Sequence, residues 1–159
     1  MPAIRFFDFE PEVGSFRDDL LFGLAQPQKS IPSKYFYDQR GSMLFEAICE
    51  TPEYYPTRVE TGILLRRAAE IGALAPTDAV LIEFGSGNSR KTRLLLEVLR
   101  PPAYVPIDIS CEQLLDSSRA LAEALPWLNV VSVCADYTQA LALPDDVDGR
   151  PRLLYFPGS

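Results

Sequence analysis

The sequence predicts an α/β fold, a doubly wound parallel sheet with covering helices, preceded by a helical N-terminal segment. Three observations predict it. Short apolar runs recur at residues 79–84, 103–107, 130–134 and 153–156, each the length of a buried strand. Stretches with the apolar spacing of helices separate the first three runs. The first run ends in Gly85-Ser86-Gly87, a turn suited to carry a parallel strand into a helix.

Composition bounds the chemistry. The 159 residues suffice for one ordinary domain, and 47% apolar with 23% charged residues is the balance of a folded globular chain. No apolar run approaches the ~20 residues that span a bilayer, so no membrane partner is expected. Asp8, Glu10 and Glu12 stand where a secretory signal would be basic and then apolar, so a cytoplasmic location is expected. Cys49, Cys111 and Cys134 form no C-x-x-C pair, and their odd number points to reduced thiols filling the core. A net charge of −7 argues against a nucleic-acid partner. Histidine is absent, which removes Ser–His and Cys–His pairs and His-ligated zinc, and no metal is expected. Chemistry falls to carboxylates, tyrosines, lysine, backbone groups or a cofactor.

Residues 1–75 read as a helical and aromatic-loop segment. Ser15 caps a helix with Phe16, Leu20, Leu21 and Leu24 on one face. Pro27 and Pro32 keep residues 26–32 extended, because each lacks an N–H and biases its predecessor away from helix. Gly41 and Ser42 open a second helix presenting Leu44, Phe45 and Ile48. Thr57 and Glu60 have capping-box spacing at the start of a third, striped by Ile63, Leu64, Ala68 and Ile71.

Residues 76–159 read as the α/β half-domain. After the strand 79–84, residues 90–100 form a helix with Leu94, Leu95, Val98 and Leu99 inward, stopped by Pro101 and Pro102. The strand 103–107 ends at Asp108. Ser110 and Gln113 repeat the capping-box spacing before a helix over 111–124. The remaining strands follow at 130–134 and 153–156. The right-handed crossover rule makes a Rossmann-like sheet the leading topology.

The candidate site residues gather at strand ends, where open α/β sheets bind ligands. The first turn supplies glycines for left-handed backbone and close ligand approach, but Arg90 occupies the third glycine position of a dinucleotide fingerprint. A dinucleotide-dependent oxidoreductase is disfavoured for that reason. Glu83, two residues before Gly85, suits a cationic ligand such as the sulfonium of S-adenosylmethionine. Asp108, 23 residues after Gly85, stands at the spacing of an acid that accepts ribose hydroxyls; a helix-capping turn is the other reading. Asp136 and Tyr137 follow the third predicted strand, positioned to accept from an adenine amino group and to stack, or, for Asp136, to cap the next segment. The tyrosines of 34–38 and 52–58 read either as packing against the sheet or as a lid over a cation.

The runs 30–38 (Ser-Ile-Pro-Ser-Lys-Tyr-Phe-Tyr-Asp), 52–58 (Pro-Glu-Tyr-Tyr-Pro-Thr-Arg) and 83–92 (Glu-Phe-Gly-Ser-Gly-Asn-Ser-Arg-Lys-Thr) resemble signature stretches of the histidine Nα-methyltransferases of ergothioneine biosynthesis. Residues 104–108 and 156–159 continue the likeness in order. The resemblance implies a class I methyltransferase-type sheet and stepwise methylation of the α-amino group of histidine by S-adenosylmethionine. It implies that Gly85, Lys91, Asp108, Asp136 and Tyr137 hold the cofactor, to which the reading of the turn adds Glu83, Ser86 and Gly87, and that Tyr37, Tyr54 and Gly158 lie at the substrate; it assigns no catalytic residue. Phe156-Pro157 stands where the family pattern is more aliphatic.

That pattern also continues past Ser159 with further sheet and a substrate domain. A truncated form is therefore expected, its sheet incomplete at the C-terminus and its last strand left as an apolar edge. An alternative is a non-catalytic or split-gene fragment that binds cofactor or needs a second chain. A complementary C-terminal chain or self-association is the partner either form implies, beside the histidine substrate.

Overall fold

The computed structural model describes residues 4–11, 14–145, 147 and 149–158. Glu12 and Ser159 lie outside the described residues. The elements run β1 (Ile4–Asp8), α1 (Phe16–Ala25), a 3-10 turn (Ser33–Phe36), α2 (Gln39–Cys49), α3 (Pro56–Leu74) and β2 (Val80–Phe84). They continue with α4 (Arg90–Leu99), β3 (Tyr104–Asp108), α5 (Cys111–Ala124), β4 (Val130–Cys134) and β5 (Arg152–Tyr155).

The described strands form one parallel sheet in the order β1-β4-β3-β2-β5. The order reverses at β2, which has β3 on one side and β5 on the other, so the chain's switch point lies above β2. β1 corrects the expectation of a helical and irregular start. Ile4 to Asp8 pair in register with Val130 to Cys134, so the beginning of the first segment completes the sheet of the second. Period-2 alternation is short there, and only the partner strand reveals it. β5 lies beside β2 as an edge, with Leu154 61% and Phe156 67% exposed.

Alternation along each strand divides the core between two faces. Leu81, Tyr104 and Val130 pack with Leu64 and Ala68 of α3, Leu95 and Leu96 of α4, and Leu121 and Ala122 of α5. Ile82, Val105, Ile107, Val131 and Val133 face the other way, against Leu141, Leu143 and Val147. Each fully buried aliphatic side chain contributes roughly 1.5–3 kcal/mol. Truncating Leu96, which is wholly buried between α4 and the sheet, is the kind of change this core would feel most.

Several helix details depart from the sequence expectation. Ser15 does cap α1, accepting from Asp18 N–H, but Phe16, Leu21 and Leu24 are exposed. Asp38, rather than Gly41 or Ser42, caps α2 by accepting from Gly41 N–H at 2.7 Å. Leu44 and Ile48 of that helix are exposed. Thr57 caps nothing: α3 starts at Pro56, whose missing N–H costs nothing at the first helical position, and Glu60 is drawn away to Lys91. Gln113 reaches Glu46 at 3.3 Å instead of closing a capping box with Ser110. In α4 the buried set is Thr92, Leu95 and Leu96, while Val98 is exposed. The helix is rotated from the expected face because the Thr92 hydroxyl turns inward to Glu83.

The cysteine expectation is also overturned. Cys111, at the start of α5, and Cys134, at the end of β4, form a disulfide, leaving Cys49 as the free thiol. The two lie 23 residues apart in sequence, and parallel pairing of β3 with β4 brings the start of α5 to the end of β4. Among the described residues no helix is long and apolar enough to cross a membrane.

Candidate functional site

A cleft of about 870 Å³ opens at the carboxyl ends of β2 and β3. Its floor is the turn after β2. Gly85 and Gly87 hold φ of +68° and +52°, in the left-handed region that other residues enter at a cost. A Cβ on Gly87 would meet nothing within 4 Å, so the backbone there faces open space available to a ligand. Ser89 also adopts φ +53°, and its hydroxyl lies 3.0 Å from the Tyr104 hydroxyl, which anchors that strained position in the core.

Asp108 closes the turn from the β3 side. One carboxylate oxygen accepts from Gly87 N–H at 3.0 Å and the other from Ser110 N–H at 3.0 Å. A carboxylate has about four acceptor sites, so two remain on a residue that lines the cleft. The two readings of Asp108 are thus compatible: it shapes the turn and keeps capacity for hydroxyl donors.

Glu83 is the one acid of the set that the structure turns away from solvent. It is 1% exposed and accepts hydrogen bonds from Thr92 Oγ1 at 2.5 Å and from the Tyr104 hydroxyl. Burial pushes its carboxyl up to about 7, against the lowering effect of the Thr92 and Tyr104 hydroxyls and the Lys91 charge. Sequence reasoning placed this carboxylate toward a cationic ligand. Glu83 is among the residues lining the cleft, and its hydrogen bonds also tie β2, α4 and β3 together under the turn.

Lys91 lines the cleft, and its ammonium pairs with Glu60 Oε2 at 2.5 Å. Ser86, 6% exposed, brings a hydroxyl with no hydrogen-bond partner among the described residues, and Thr57 brings a second. A buried donor without a partner is costly, and both residues line the cleft. Tyr137, Phe84 and Phe156 form a ring cluster with centroids 5.6–6.2 Å apart, all edge to face. Tyr37 and Phe45 stand among the lining residues of the α2 side.

Three predicted residues do not line the cleft. Asp136 uses Oδ1 to accept from Thr138 N–H and the Thr138 hydroxyl, and these bonds hold its carboxyl below the usual carboxylate range, the turn-capping alternative. Tyr54 stands behind Phe45, with ring centroids 5.8 Å apart, and burial raises its phenol. Gly158 donates its N–H to Glu60 Oε1 at 3.2 Å. Two supporting residues escaped the sequence reading. Glu60 looked like a capping residue, and Glu46, which accepts from Asn88 and Gln113, carried no motif at all.

Known proteins resemble this chain over most of its length. The model of a family described as histidine-specific, S-adenosylmethionine-dependent methyltransferases matches residues 16–159. The chain is similar to histidine N-alpha-methyltransferase of Mycolicibacterium smegmatis, at 42% identity over 91% of this chain and 46% of that one. Its counterpart in Mycobacterium tuberculosis is 39% identical over the same shares. Ergothioneine biosynthesis protein 1 of Neurospora crassa is 33% identical over 82% of this chain and 16% of its own length. The chain spans about half the length of the two mycobacterial relatives. On the family match and the identity with these relatives, the chain belongs to the S-adenosylmethionine-dependent, histidine-specific methyltransferases.

Proposed function

We propose that this chain supplies the S-adenosylmethionine-binding part of an N-methyltransferase acting on the α-amino group of histidine. One observation carries the reading: a glycine turn with open backbone, a partnerless buried hydroxyl at Ser86 and free acceptor capacity on Asp108 converge on one cleft in a chain of this family. The residues present fit the cofactor. Gly85 and Gly87 let it approach the backbone, Asp108 offers acceptors to its ribose hydroxyls, and Ser86 offers a donor. Lys91 is a cation beside the turn, matched to the cofactor's carboxylate, and Tyr137 lines the cleft as the ring that would stack on the adenine.

When bound, S-adenosylmethionine supplies an activated methyl group to an amine. The chain's own contribution is orientation, worth several kcal/mol when two reactants are aligned. Glu83 acts from beneath, holding β2 and α4 in register so that the turn keeps its shape. Tyr37 lines the cleft toward the substrate, with Tyr54 in support through Phe45 and Gly158 at the end of β5. A second reading rests on exposed Leu154 and Phe156: the chain binds cofactor and turns over only beside a complementary chain that covers this edge.

Calorimetric titration of the purified chain with S-adenosylhomocysteine, then a methylation assay over a panel of amino acids, tests both. Binding with histidine methylation supports the first reading, and binding without turnover supports the second. Absence of binding overturns both.

A further inference from the structure

Lys91 presents a problem for the proposed ligand. S-adenosylmethionine carries a sulfonium and an ammonium against one carboxylate, so its net charge is positive. An uncompensated lysine beside the glycine turn would attract the carboxylate and repel the sulfonium. The chain provides a counter-charge. Glu60, near the start of α3, pairs with Lys91 across 2.5 Å, and both side chains are largely withdrawn from solvent, at 19% and 16% exposure. Screening by water is reduced at such a pair, so its charges act over a longer range than on an open surface.

Glu60 is held where it is by two further bonds. Its Oε1 accepts from the Tyr155 hydroxyl at 3.1 Å and from Gly158 N–H at 3.2 Å, which brings α3, α4 and the end of β5 to one carboxylate. Burial and the adjacent Glu60 charge keep the Tyr155 phenol protonated, so it serves as a donor. Glu60 itself is not among the residues lining the cleft, whereas Lys91 is. The carboxylate therefore acts through its neighbour and by its field.

We propose that Glu60 is a positioning and charge-balancing residue that biases the cleft toward the cationic S-adenosylmethionine over its neutral product, S-adenosylhomocysteine. The inference rests on the cofactor reading above. Removing the negative charge leaves Lys91 uncompensated, which disfavours the sulfonium and not the thioether. A merely structural role would weaken both ligands alike.

The test is calorimetric titration of both ligands into the full chain as wild type, Glu60→Gln, Glu60→Asp and Tyr155→Phe. Glutamine keeps an oxygen that can accept from Tyr155 and Gly158, so Glu60→Gln removes chiefly the charge. The ratio of the S-adenosylmethionine Kd to the S-adenosylhomocysteine Kd is expected to rise roughly three- to tenfold in Glu60→Gln. It should stay within about twofold of wild type in Glu60→Asp and Tyr155→Phe, which keep the carboxylate. An unchanged ratio in Glu60→Gln overturns the proposal whether or not both affinities fall. Equal rises in Glu60→Asp or Tyr155→Phe also overturn it, because the charge is then not the cause. Should Glu60→Gln not fold, a raised ratio in either charge-retaining variant overturns it, and wild-type ratios in both support it. A wild-type chain that binds neither ligand overturns the cofactor reading instead, and the proposal with it.

Discussion

Asp108 accepts a hydrogen bond from the backbone N–H of Gly87 at 3.0 Å, so the acid at the end of β3 holds the glycine turn that follows β2. Two residues that are 21 positions apart in sequence thereby become one floor. Asp108→Ala is expected to weaken S-adenosylhomocysteine binding by ~1.5–3 kcal/mol, the range for hydrogen bonds to a charged group. Calorimetry on wild type and variant measures it, and equal affinities would remove Asp108 from the site.

Glu83 predicts a pH dependence of stability. Its carboxyl sits at about 7 in the folded chain against an ordinary 4.5, with burial as the leading cause. The folded state then holds the proton that the unfolded state has already released. Stability is complete below about 4.5 and falls as pH rises through about 7, by roughly 3 kcal/mol. The chain has no histidine to titrate in that window. Thermal unfolding between pH 4.5 and 8 should show the decline in wild type and a flatter profile in Glu83→Gln.

The disulfide makes a chemical prediction. Thiol titration of the unfolded, unreduced chain should find one thiol, Cys49, and three after reduction. Closing a loop of 23 residues is worth about 3 kcal/mol, so Cys111→Ser should lower the unfolding free energy by that order. Three thiols before reduction would show that the bond does not form.

Arg58 carries the loop of residues 51–54. Its guanidinium donates to the carbonyls of Thr51 at 2.7 Å, Pro52 at 2.5 Å and Tyr54 at 3.2 Å. Lysine cannot reproduce that fork. Arg58→Lys should destabilise the loop by about 1–2 kcal/mol and raise hydrogen exchange at the amides of residues 51, 53, 54 and 55. Protection equal to wild type would show that the clamp is dispensable.

Tyr54→Phe separates packing from recognition. If the hydroxyl meets the substrate, an enzyme that turns over should show a higher KM for histidine with cofactor affinity unchanged. Lower stability with normal kinetics would place Tyr54 in packing against Phe45 alone.

The sequence by itself determined the strands β2 to β5, the turn at Gly85 to Gly87 and the acid at its nucleotide-site distance. Each depends on neighbours along the chain: apolar runs bounded by turn residues, and glycines where backbone enters the left-handed region. Tertiary structure alone decided what each carboxylate holds. Glu83 and Asp108 look alike as acids at strand ends, yet one is buried under Thr92 and Tyr104 and the other spans the turn. β1 became visible only beside β4, and Cys111 met Cys134 only once parallel pairing brought α5 to that strand's end. Glu60, read along the chain as a helix cap, became the partner of Lys91 because α3 packs on α4. Local sequence encodes backbone preference through short-range sterics. The partner of a side chain 20 to 100 residues away is set by sheet order and helix rotation, which no local pattern specifies.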